Sequence, residues 1–110
     1  MTFLYLNSDQ MGKGDEELGE ILLNSFLQNL AESDVQIDAV GCVNAGVNLT
    51  TNVGPALDSL KKLEAKGAQI MSCCTCLDYH GIREKLLIGG IGSMVQNVQA
   101  MATAEKVIRV

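Results

Sequence analysis

Tryptophan is missing from this chain, and aromatic residues together make up only 4% of it. A core without large rings has to be filled by aliphatic side chains, and the 47% hydrophobic share supplies them as Leu, Ile, Val, Ala and Met. Basic residues are the second shortage. Eight Lys and Arg stand against thirteen Asp and Glu, a formal net charge of −5. Binding phosphates takes a basic surface that releases counterions, so nucleic acid is disfavoured as a partner, and anionic membranes for the same reason. Long apolar runs are also lacking, and none approaches bilayer thickness. No basic leader or cleavage site precedes the first apolar run, which predicts no signal peptide and a cytoplasmic protein. Thiols rest reduced there, so the four cysteines are expected to be free rather than a disulfide framework. Repeats, low-complexity tracts and linkers are absent as well, and residues 1–110 read as one domain, large enough for a real core.

What the chain does contain is an alternation of short apolar strands and amphipathic helices. Thr2 to Leu6 reads as a buried strand, followed by a polar loop to Gly14 and a helix from Glu16 to Ala31 with Asp15 as its N-cap. On that helix Leu23, Phe26, Leu27 and Leu30 mark one face, widened by Leu18 and Leu22. Ile37 to Val43 reads as the second strand and Asn44 to Gly54 as a loop. The single proline, Pro55, sits where its missing N–H costs nothing, at the start of a helix to Lys66 that ends at Gly67. That helix packs through Ala56, Leu57, Leu60 and Leu63, leaving Lys61, Lys62 and Lys66 on a solvated face. Ala68 to Ser72 reads as the third strand, Leu77 to Lys85 as a short helix and Leu86 to Ile88 as a brief fourth strand. After a glycine turn, Ser93 caps a helix whose Met94, Val95, Val98, Met101 and Ala102 form one side, with Met94 and Met101 expected in the core. Val107 to Val110 closes the series. Strands alternating with helices imply a parallel α/β sheet covered on both faces, with its strand-to-helix loops gathered at one edge. Asn7, Ser8, Asp9, Asn44 to Gly46, Cys73 to Cys76 and Gly89 to Ser93 are expected to share that rim.

Three of the four cysteines and the only histidine fall within CCTCLDYHG, residues 73–81. A thiol between a strand end and a helix start meets unpaired N–H groups and the positive end of the helix dipole. Such a setting is expected to pull a cysteine from its free value of ~8.5 toward roughly 3.5–7.5. Cys76 and Cys73 are the candidate reactive residues; Cys74, Thr75 and His80 are candidates to line the site. Gly12-Lys13-Gly14 lacks the ending and spacing of a P-loop, and the carboxylates after it would repel a phosphate.

The stretch CCTCLDY (73–79) resembles the DsrE/DsrF-like sulfur-transfer family, with closest similarity to the DsrE-type domain of YedF-like selenium-metabolism proteins. SDQMGKGDEELG (8–19), NAGVNLTT (44–51) and IGGIGSMV (88–95) follow the same pattern in order. The resemblance implies a three-layer α/β/α sandwich with a five-stranded parallel sheet, assembled into homo-oligomers, and no cofactor. It assigns to Cys76 the cysteine that accepts sulfur, or selenium, as a persulfide, with sulfur donor and acceptor proteins or small thiols as partners. Cys73 matches a cysteine of the subgroup, while Cys74 stands where the pattern has Gly.

Three chemistries follow. Cys76 relays a persulfide, with Cys73 able to resolve it and His80 able to move a proton. Alternatively, Cys73, Cys74, Cys76 and His80 hold a structural zinc, with Cys42 in reach only if its strand end meets the same rim. A third option is thiol–disulfide exchange through residues 73–76, although the motif follows the third strand rather than an early one. For His80 alone, an unemployed surface histidine is the commoner outcome.

Overall fold

The computed structural model describes residues 1–110 as a five-stranded, wholly parallel sheet with helices against it. In chain order the elements are β1 (Thr2–Leu6), α1 (Glu16–Glu32), β2 (Ala39–Cys42), α2 (Asn48–Thr51), α3 (Pro55–Ala65), β3 (Gln69–Cys73), α4 (Cys74–Tyr79), β4 (Gly90–Gly92), α5 (Met94–Thr103) and β5 (Lys106–Arg109). Single 3₁₀ turns occupy Asn44–Val47 and Arg83–Lys85. The sheet runs β4-β3-β2-β1-β5, so the α/β/α class read from the strand–helix alternation holds. No helix is long and apolar enough to cross a membrane.

Period-two alternation divides the strands between two unlike faces. Leu4, Leu6, Val40 and Ile70 point toward α1 and α3, joining Leu23, Leu27, Leu57, Leu60 and Leu63 in one buried aliphatic cluster. Burying each such leucine contributes roughly 1.5–3 kcal/mol. The caps agree with the sequence. Asp15 accepts from the Leu18 N–H at 2.9 Å, Ser93 and Gln96 form a reciprocal capping box, and Gly67 leaves α3 at φ +108°.

Six expectations need correction. The stretch read as a loop over Asn44 to Gly54 holds a 3₁₀ turn and the short helix α2. The helix read from Leu77 to Lys85 instead begins at Cys74 and ends at Tyr79, so Cys74 and Cys76 lie within it rather than before it. Leu18 and Leu22 do not widen the buried face of α1; they are 53% and 42% exposed, because α3 covers only the Leu23–Leu27–Leu30 stripe. The fifth helix buries none of its residues, and Met94 and Met101, 51% and 37% exposed, are not part of the core. The fourth strand is Gly90–Gly92 rather than Leu86–Ile88. Ile88 drops into the core, while the Leu87 N–H is taken by the Thr50 carbonyl at 2.9 Å, leaving the glycines to pair with β3. Finally, Lys66 is not merely solvated. Its Nζ donates to the carbonyls of Ala31 and Ser33, satisfying the end of α1, whose last turn has no basic residue of its own.

Candidate functional site

Parallel strands deliver their carboxyl ends to one edge, and there β1, β2 and β3 end at Leu6, Cys42 and Cys73. The loops beyond β1 and β2 are pressed together at Gly46, where an added Cβ would lie 2.2 Å from the Leu6 carbonyl oxygen. That oxygen also accepts the Val43 N–H at 3.0 Å. The next residue, Asn44, turns the chain through a left-handed φ of 52°, which Asn tolerates better than most side chains. A buried hydroxyl pair, Thr50 and Ser72 at 2.7 Å, ties α2 to β3, and Thr50 donates to the Val47 carbonyl at 3.1 Å. The 3₁₀ turn is therefore fixed to β1 on one side and to β3 on the other.

This anchoring aims the Asn44 N–H at Cys76 Sγ, 3.1 Å away. Cys76 is half-buried on α4, resting against the edge of the aliphatic core. The Cys73 thiol lies near enough to oppose its ionisation. Cys73 itself is buried, and it follows Gln69 and Met71 on the β3 face that looks toward α5. Cys74 is partly exposed and Thr75 is exposed.

The expected depression of the Cys76 pKa is overturned. Burial against apolar neighbours pushes it above its ordinary 9.0; the Asn44 N–H pulls the other way, and Cys73 and Cys74 push it up again. A six-residue helix with two further thiols at its start outweighs the dipole argument, since each neighbouring sulfur opposes a second negative charge. Alkylation of Cys76 by iodoacetamide, followed by peptide mass mapping in a Cys74→Ser background, should therefore accelerate about tenfold per pH unit with no plateau below pH 9.0. A plateau near about pH 7 would mean a depressed thiol of the reactive-cysteine kind.

The other rim residues take separate parts. The Ser8 hydroxyl accepts from the Gln10 N–H at 3.0 Å, and Asn7 is half-buried at the end of β1. Asp9 accepts from the Asn48 side chain at 3.1 Å and faces a polar hollow with Glu20, Asn24 and Asn52. His80 is exposed and stands edge-on to Tyr79, ring centroids 5.2 Å apart. Asp78 and Arg83 form a two-point ion pair at 2.7 and 2.8 Å that holds the carboxyl below its usual range. No group of three or more His, Cys, Asp or Glu side chains is disposed to hold a metal ion, so Cys73, Cys74, Cys76 and His80 are not gathered as a ligand set. Cys42 turns into the aliphatic cluster, 1% exposed. The Asn44 N–H was not visible in the sequence as a sulfur donor; only the Asn-Ala-Gly turn chemistry hinted at a special backbone there.

Fold and site together define a parallel α/β domain with two neighbouring thiols at its carboxyl edge, on β3 and α4. The site lies away from the strand-order reversal beside β1, the usual ligand position in such sheets. Solved structures share this architecture. The ychN protein from E. coli is 21% identical with a TM-score of 0.65, covering 99% of this chain and 97% of its own. MTH1491 from Methanobacterium thermoautotrophicum, a protein of unknown function, is 20% identical with a TM-score of 0.70 over 99% and 97%. BT1422 from Bacteroides thetaiotaomicron, a conserved protein of unknown function, is 14% identical with a TM-score of 0.69 over 99% and 94%. At these identities the likeness is one of fold. No protein-family profile matches the chain, and no curated protein does.

Proposed function

We propose that this protein accepts sulfane sulfur as a persulfide on Cys76 and hands it to a partner thiol. The observation that carries the reading is the half-buried Cys76 sulfur at the sheet edge, with a backbone N–H 3.1 Å away and a second thiol beside it. The similarity of residues 73–79 to DsrE/DsrF-like proteins of the YedF group supports the same chemistry. Cys76 as thiolate attacks the outer sulfur of a donor persulfide. The donor S–S bond breaks, the donor leaves as a thiolate and takes up a proton, and Cys76 holds the new persulfide. An acceptor thiolate then attacks that outer sulfur and regenerates Cys76. The Asn44 N–H stabilises the negative sulfur at each stage. A raised pKa keeps the resting thiolate fraction small but makes the ionised fraction a stronger nucleophile.

Cys73 offers a second exit. Its attack on the inner sulfur of the Cys76 persulfide releases hydrosulfide and joins Cys73 to Cys76, after which a small thiol reduces the pair. The same adjacency favours thiol–disulfide exchange as the alternative reading. We further read the exposed stripe of α5, with Val95 and Val98 at 67% and 58%, as a face that a homo-oligomer would cover.

Intact mass after incubation with a small-molecule persulfide donor tests the relay. Wild type should gain one sulfur atom, Cys76→Ser should gain none, and Cys73→Ser should hold the added sulfur longer. Unchanged loading of Cys76→Ser would move the nucleophile elsewhere and end the proposal.

A further inference from the structure

Beneath α5 the sheet is not packed but hollow. A cavity of about 220 Å³ separates the helix from the second face of the sheet. Its wall includes Phe3, Gly41, Met71, Cys73, Met94 and Ala100. The helix is held off by Asn97, whose Oδ1 lies 2.8 Å from the position of a Cβ added at Gly41. An apolar cavity of about 150 Å³ accommodates benzene, so this one has room for a single ring or short chain with a sulfur group attached. It is too small for a drug-sized ligand.

The wall carries one charged side chain, Asp38, whose carboxylate accepts the Thr2 N–H at 2.7 Å. No Lys, Arg or His lines it. An anionic guest would meet that carboxylate in an apolar hollow whose one cation, the Met1 α-ammonium, already pairs with Glu105 at 3.3 Å, so desolvation and repulsion both act against it. Ser93, Gln96 and Asn97 add only neutral polar groups at the helix side. Cys73, part of this wall, is also a near neighbour of Cys76 whose thiol opposes its ionisation, so the cavity and the edge site meet at this residue.

We propose that the space between α5 and the sheet binds an uncharged, low-molecular-weight organic compound with an S–S bond and presents that bond to Cys73. The Cys73 thiolate attacks one sulfur; an S–S bond to Cys73 forms as the guest's own S–S bond breaks. The other half leaves as a thiolate and takes up the proton that Cys73 gave up, with no outside oxidant or reductant. Binding and this first exchange stand on the cavity alone; onward passage to Cys76 rests on the relay reading.

The test uses a Cys74→Ser/Cys76→Ser variant, which retains Cys73 and the buried Cys42. It is treated with 4,4′-dithiodipyridine, which is neutral, or with 5,5′-dithiobis(2-nitrobenzoate), a dianion. Each rate is divided by that reagent's rate on the same variant unfolded in guanidinium, and the modified residue is mapped by mass. The neutral reagent should be favoured at Cys73 by about tenfold or more, a difference of about 1.4 kcal/mol. Adding Ala100→Phe should slow the neutral reagent several-fold while the circular dichroism stays that of the parent. Equal normalised rates for the two reagents, or no reaction at Cys73, would overturn the site even if the phenylalanine variant fails to fold. A folded Ala100→Phe variant that reacts at the parent's rate would overturn it too. Cys76 plays no part in these readings, so they stand or fall separately from persulfide loading.

Discussion

Gly46→Ala should lower the melting temperature by roughly 10–20 °C, the shift produced by about 2–3 kcal/mol in a domain of this size. The added methyl would sit 2.2 Å from the Leu6 carbonyl oxygen and 3.0 Å from its carbon. Both belong to the backbone of a central strand, which cannot swing aside as a side-chain tip does. Overpacking costs about 1–3 kcal/mol where neighbours can adjust, and here the upper end applies. The effect reaches the site because that same oxygen holds the Val43 N–H. Displacing it moves Asn44 away from Cys76 and removes the one interaction that lowers the thiol's pKa. Alkylation of Cys76 at fixed pH should therefore slow in whatever fraction stays folded. Gly54→Ala is the control, since nothing lies within 4 Å of its added Cβ. A Gly46→Ala protein melting with the control would mean that the loops after β1 and β2 are not in contact.

Alkaline solution should expose the second large effect. Burial pushes the Cys42 thiol up to about 12, from 9.0. A folded-state pKa above the unfolded one means that the unfolded chain gives up its proton first as pH rises. The stability tied to the neutral thiol is complete below pH 9.0 and is lost progressively up to about pH 12. The loss is about 1.4 kcal/mol per pH unit across that window, some 4 kcal/mol in all. Urea unfolding of wild type and Cys42→Ala at a series of pH values isolates it, because tyrosine and lysine titrations are common to both. The wild type should fall away from the variant above pH 9.0. Parallel curves would mean that water reaches the sulfur in the folded state.

The architecture was legible because aliphatic strands and capped helices carry their own periodicity. Asp15, Pro55, Gly67 and Ser93 mark helix ends by local chemistry alone, and all four stand at those ends. The failures on the helices have one physical origin. Periodicity reveals that a helix has an apolar side but not what, if anything, lies against it. The stripe on α5 is real, yet a cavity lies beneath the helix and its methionines stay partly exposed. Gly90–Gly92 was read as a turn because glycine is conformationally free, whereas here the backbone pairing with β3 decides. At the site, clustered thiols after β3 were legible from spacing. The sign of the Cys76 shift was not, since it depends on burial and on sulfurs brought within reach only by the fold.

The group that steadies the sulfur belongs to the peptide chain and not to any side chain. An alanine survey of the surface would therefore be a poor instrument for finding it, because every residue but proline brings the same N–H. What constrains position 44 is the twist of its backbone, φ 52°. That twist favours residues at ease in it, Asn, Asp or Gly, whatever their polarity. Shape, rather than chemical identity, is what this half of the site asks of its residue.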